Sequence, residues 1–213
     1  MEQRQKDGKN RLLNFGNSNV NIFTSSRISK HFYKPYRTFI EFYSYRKTGF
    51  LFQENRLPGN LTAMQNIAIF MDKPDEGEII ALAVKVGLTA GDLNKYPTEL
   101  SGGMAKRVAF LRLLLCGCDL ALLDEPFVGL DRDLRDILVA MLVEKIERQG
   151  MACMLVMHDR FEAARLSHEI MLLSTKGMNV QNVITLPTPL SERDSAFEEA
   201  VVAREFQGIH YYE

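Results

Sequence analysis

The chain has 213 residues, 46% of them apolar, enough to bury one sizeable core or one domain with a subdomain inserted. Its net charge is only −1, and no apolar stretch approaches the roughly 20 residues that span a bilayer, so any work at a membrane is expected to be peripheral. The N-terminal residues Met1 to Asn10 lack the apolar region of a secretory signal. The three cysteines, Cys116, Cys118 and Cys153, lie in or beside apolar runs without CxxC spacing, as reduced, packed thiols do, and no disulfide or zinc site is expected.

Residues 1 to 47 carry ten Lys/Arg against three Asp/Glu, whereas the remainder carries sixteen against twenty-four. This front segment mixes basic and aromatic residues, as in His31 to Arg37, with no sustained period beyond a short strand expected near Tyr36 to Tyr43. Basic residues among aromatics can bind nucleic acid, but no nucleic-acid motif accompanies them, and no nucleic-acid partner is expected. From Thr48 the character changes. Gly49 to Gln53 reads as a strand ending in a polar amide. Met64 to Phe70 and Glu76 to Val86 follow as amphipathic helices, with a break at Lys73-Pro74-Asp75 and Gly87 at the second end. Asp92 to Glu99 leads into Ser101-Gly102-Gly103, which opens a helix bearing Val108, Leu111, Leu114 and Leu115 on one face. A hydroxyl and bare amides at a helix N-terminus attract an anion.

That helix stops at Cys116-Gly117. Leu120 to Leu123 then reads as a parallel strand covered on both faces, closed by the carboxylates of Asp124 and Glu125. Arg132 to Gln149 has helical periodicity and ends at Gly150, and Ala152 to Met157 is a second buried strand ending at His158. Strand, crossover helix and parallel strand bring both carboxyl ends to one sheet edge, so Asp124, Glu125 and His158 should meet where open α/β sheets bind ligands. Phe161 to Leu166 reads as a helix, Glu169 to Ser174 as a strand and Val180 to Leu186 as an edge strand. Glu192 to Phe206 reads as a closing helix with Ser191 as N-cap and Asp194 three residues on.

Leu100-Ser101-Gly102-Gly103, Leu120 to Glu125 and Gly129-Leu130-Asp131 resemble, in order and spacing, the signature, Walker B and D-loop motifs of the ATP-binding cassette (ABC) ATPases. Gln53 to Leu57 with Leu61 to Ile67 resembles the family's Q-loop and the helix after it, in wording similar to importers of the nitrate, sulfonate and taurine type, although Pro58-Gly59-Asn60 departs from the bulkier residues usual there. The resemblance implies an α/β fold: a P-loop NTPase-like, mostly parallel sheet core with a helical subdomain inserted at about residues 54–116, within an ABC-like region of residues 48–213.

It also implies ATP and Mg²⁺ as cofactors and assigns roles. Asp124 and Gln53 would serve the metal; Glu125, His158 and Gln53 would act on the attacking water and γ-phosphate; Ser101, Gly102, Gly103 and Asp131 would meet nucleotide across a dimer. The implied partners are a second ABC subunit, a membrane permease and a substrate-binding protein, with the chain at the cytoplasmic membrane face.

One family element is missing. The P-loop needs GxxxxGK[ST], whose amides, Lys and hydroxyl hold phosphates and Mg²⁺. The only Gly-Lys pair is Gly8-Lys9, with Gln3 in place of the first Gly and Asn10 in place of Ser/Thr. The leading expectation is an importer's ATPase subunit, and the alternative is a non-catalytic structural or regulatory relative. Residues 1 to 47 are open to two origins, an eroded front or a shifted reading frame.

Overall fold

A computed structural model of the chain describes residues 47–173 and 180–206, with the backbone of 21–24. The strand expected near Tyr36 to Tyr43 and the Gly8-Lys9 pair lie outside the described residues.

The described strands form one mixed sheet in the order β2-β3-β4-β1-β5-β6. Strands β2 (Thr48–Leu51), β3 (Leu120–Asp124) and β4 (Ala152–Met157) are parallel neighbours, with Leu51 opposite Leu123 and Asp124 opposite Val156. Strand β1 (Asn21–Thr24), which periodicity did not find, runs antiparallel between β4 and β5 (Glu169–Leu173), and β6 (Val180–Thr185) closes the far edge antiparallel to β5. The parallel half therefore carries the carboxyl ends predicted to meet.

Helices α1 (Ala63–Ala68), α2 (Glu76–Lys85) and α3 (Ala90–Leu93) gather with α4 (Gly102–Leu115) between β2 and β3. Their starts are set locally. Thr62 and Gln65 form a reciprocal capping box on α1, and Asp75 accepts from the amides of Gly77 and Glu78 on α2. Crossover helix α5 (Arg132–Gln149) begins at Asp131, whose side chain accepts from Leu134 N–H, and ends at Gly150 with φ +69°. Helix α6 (Arg160–Leu166) and closing helix α7 (Ser195–Glu205) complete the described elements.

The closing helix departs from expectation. Its cap is Asp194, which accepts from Phe197 N–H, whereas Ser191 N–H donates to Glu147 Oε1 and lies in a short 3₁₀ turn, Leu190–Glu192. Arg193 decides the boundary: its guanidinium is buried against four carbonyls and holds the preceding turn away from the helix axis.

The main core joins Phe110, Leu111 and Leu114 of α4, Leu138 and Leu142 of α5, and Leu166 of α6 to Ala121, Leu123, Cys153 and Leu155 of the sheet. Burial of each large side chain contributes about 1.5–3 kcal/mol. On the opposite sheet face a small cluster of Leu120, Ala152, Leu122 and Met154 draws only on strand residues, and Phe50 there is 44% exposed. Among the described residues β3 is thus packed with helices on one face, where its unbroken apolar run predicts cover on both.

Candidate functional site

Parallel pairing of β3 with β4 sets the frame, because Glu125 N–H still donates to Val156 O at 2.9 Å and carries the ladder one residue past the strand. The chain must then turn away. Glu125 takes φ +47°, a left-handed conformation unusual for a residue with a side chain and of the kind that persists where surrounding contacts enforce it. Lys106, from the second turn of α4, supplies such contacts by donating its ammonium to Glu125 O at 3.4 Å and to Val128 O.

His158 Nε2 stands 3.0 Å from Glu125 Oε1, so the predicted meeting of the two strand ends is present. The approach lies off the ring N–H direction, and Glu125 Oε1 is buried with no hydrogen bond among the described residues. An acceptor left open in this way, one side chain from a half-exposed histidine, is placed to receive a water or another small donor. Burial raises the Glu125 carboxyl above its ordinary range, opposed by His158 and reinforced by Asp124 and Glu162. The Asp124 carboxyl is raised by the same cause, with His158 again opposing. Both carboxylates are therefore more basic than surface ones, as a group that orients or deprotonates water requires.

Gln53 lies two residues beyond the last rung of β2, level with Glu125 by register, and is exposed. Its loop is held from beneath. Arg112, buried on α4, donates to Asn55 O and Arg56 O, both at 3.1 Å, and Arg56 itself adopts φ +43° with its guanidinium 4.0 Å from the Phe52 ring. A cavity of about 350 Å³ opens here between Lys47, Phe50, Phe70 and Arg112.

Ser101, Gly102 and Gly103 belong to a different surface. Ser101 caps α4 by accepting from Met104 N–H at 3.2 Å, all three residues are exposed, and nothing lies within 4 Å of a Cβ built on Gly102. That N-terminus is open to an anion. Among the described residues no hydrogen bond or ion pair joins these three to Asp124, Glu125 or His158. Asp131 is committed to capping α5 through Leu134 N–H at 2.9 Å, two residues after Gly129 at φ +77°.

The donor set fits magnesium bound chiefly through a phosphorylated ligand. Asp124 and Gln53 offer hard oxygen atoms, and among the described residues no three His, Cys, Asp or Glu side chains form a metal cage of their own. Sequence reasoning missed Lys106, Arg112 and Glu162. The last is a third carboxyl near Glu125, raised by burial and held by Arg135 Nη1 at 3.0 Å. No motif marks these three, since their roles come from helices packed across a strand end.

Comparison with known proteins gives a consistent result. A family described as ABC transporter matches residues 34–128. An aliphatic sulfonates import ATP-binding protein, SsuB of Bacillus cereus, is 37% identical over 158 residues, covering 72% of this chain and 63% of its own length. SsuB 2 of Pseudomonas syringae pv. tomato is 37% identical over 151 residues, with 70% and 65% covered. This chain thus spans under two thirds of the length of these curated relatives. A dimeric post-hydrolysis state of the ATP-binding cassette MJ0796, bound to ADP and Pi, superposes with a TM-score of 0.58 at 27% identity, over 67% of this chain and 64% of that one.

Proposed function

We propose that this chain, similar to ABC transporter proteins, is an ATP-binding subunit of importer type and couples ATP hydrolysis to uptake through a membrane permease. The observation that carries the reading is the buried, unbonded Glu125 Oε1 beside His158 at the carboxyl ends of β3 and β4. Hydrolysis of a phosphoanhydride needs a positioned water and stabilisation of charge on the transferring group more than covalent chemistry. Bound Mg²⁺ would supply that neutralisation through the nucleotide phosphates, with Asp124 and Gln53 as the protein oxygens facing it.

For a nucleotide held on this chain, Glu125 would orient the attacking water and take its proton, a task its raised affinity for protons suits but which the missing GxxxxGK[ST] leaves idle here. His158 holds the water's other side. Ser101, Gly102 and Gly103 offer amides and a hydroxyl to nucleotide on a second ABC subunit, with Asp131 at the same seam. The region 48–213 acts as the ABC-like unit, with residues 54–116 as its helical subdomain. Permease contact is assigned to the rim of the cavity beside the Gln53 loop, where Ile69 and Phe70 are 56% and 50% exposed. The relatives' names support a sulfonate-type substrate, and we assign its delivery to a substrate-binding protein and the chain's working place to the cytoplasmic membrane face.

This sequence contains no GxxxxGK[ST], so the two halves of the site are expected to behave unequally. The test measures phosphate release by the chain alone and mixed with a P-loop-competent cassette. In the mixture, Ser101→Arg should abolish the added turnover while Glu125→Gln hardly alters it, because only the open α4 N-terminus serves nucleotide held by the partner. Robust turnover by the chain alone, lost on Glu125→Gln, would overturn that division of labour. Absence of turnover in every mixture would remove the ATPase reading.

A further inference from the structure

Two cysteines lie at the turn from α4 to β3, away from the water-orienting residues. Cys116 caps the C-terminus of α4 and Gly117 follows at φ +65°, which doubles the chain back and brings both thiols against β2. A Cβ built on Gly49 would sit 2.5 Å from Leu113 Cδ1, 2.9 Å from Cys118 Sγ and 3.3 Å from Cys116 Sγ, so Leu113 and both thiols close on the strand where it carries glycine. The two thiols thus lie side by side against the same strand position. Cys116 Sγ donates to Leu113 O at 3.1 Å, and Cys118 Sγ donates to Met151 Sδ at 3.7 Å.

Access differs between them. Cys116 forms part of the wall of the cavity of about 350 Å³, alongside Lys47 and Arg112, and Cys118 stands behind it. The neighbouring Cys118 thiol draws the Cys116 thiol below its ordinary value against the opposing effect of burial, with help from Lys47 and Lys145. The Asp119 carboxylate is turned to the Lys47 amide at 3.3 Å. That same thiol pairing and burial push Cys118 up, and burial alone pushes up Cys153. A thiol at a cavity wall with a second thiol beside it is the arrangement of an oxidisable pair, whereas a thiol sealed in the core is inert.

We propose that Cys116 and Cys118 form a hydroperoxide-oxidised dithiol site, with Cys116 as the attacking thiolate, Cys118 as the resolving thiol and the cavity as the entry for a small peroxide. The Cys116 sulfur attacks the distal peroxide oxygen and the O–O bond breaks. Cys116 becomes a sulfenic acid, and the departing alkoxide or hydroxide takes up the proton that Cys116 released. Cys118 then attacks the sulfenic sulfur, its proton leaves with the hydroxyl as water, and the disulfide closes across Gly117. Two thiols are oxidised and one peroxide is reduced to an alcohol, or to water. This chemistry does not depend on the nucleotide reading.

The experiment treats the reduced, folded full chain with hydrogen peroxide and follows intact mass and peptide maps. The expected result is a loss of about 2 Da from a Cys116–Cys118 bond, with Cys153 unoxidised, reversed by dithiothreitol. Cys118→Ser and Cys118→Ala should both accumulate a dimedone-trapped sulfenic acid at Cys116, and Cys116→Ser should leave Cys118 unmodified. In native protein Cys116 should be alkylated at least about tenfold faster than Cys153. Equal rates at Cys116 and Cys153, or overoxidation of Cys116 in the parent without disulfide, would overturn the proposal.

Discussion

Replacing Arg193 by methionine tests whether a buried cation with no carboxylate ion pair among the described residues can hold the C-terminal part of the fold together. Its guanidinium donates to Ala164 O and Ser167 O at 2.7 Å, to Leu186 O at 3.0 Å and twice to Thr188 O at 2.7 and 3.0 Å. Ala164 and Ser167 are carbonyls at the end of α6, where a cation also meets the helix dipole. Burial draws the guanidinium down to about 10, with Glu147 opposing, so the charge persists at neutral pH. Methionine would leave the carbonyls of Ala164, Ser167 and Leu186 buried without their donor. At about 1.5 kcal/mol for each bond to a charged group, less the relief of no longer burying an ion, the net loss is about 3 kcal/mol. For a chain of this size that lowers Tm by about 6–12 °C in differential scanning calorimetry. Arg193→Lys should fall between, because one ammonium cannot span the fork of carbonyls. A methionine variant melting within about 2 °C of the parent would refute the reasoning.

Glu125→Gln should stabilise the protein at about pH 8. Burial raises this carboxyl, so its ionised form is a load on the folded state that is absent below the ordinary 4.5 and full above the raised value; the Tm gain should therefore vanish as acid titration passes below about pH 4.5. A gain independent of pH would mean that shape, not charge, governs the site. Gly150→Ala forces a Cβ into the left-handed cap of α5 at φ +69° and should cost about 1 kcal/mol, whereas Gly59→Ala, with nothing within 4 Å, should leave chemical denaturation midpoints unchanged or slightly raised. Equal effects at the two glycines would remove the backbone argument.

The sequence alone determined what depends on neighbours along the chain. Ser101 at the start of α4, Gly150 at the end of α5, and the βαβ order that brings Glu125 to His158 were legible because caps and periodicity act within a few residues or through one crossover rule. The ABC motifs were legible for the same reason. The closing helix was misplaced because Asp194 competes with Ser191 for the cap, and the winner depends on Arg193 reaching carbonyls 26 and 29 positions away. Only the tertiary structure could decide which side chains reach the site without belonging to a motif. Lys106 and Arg112 act there because α4 packs against β2, and the Glu125 oxygen stays unbonded because two strand ends fix its distance from His158 without aligning the ring N–H. Such angles and depths of burial arise from contacts between elements distant in sequence, and no local pattern encodes them.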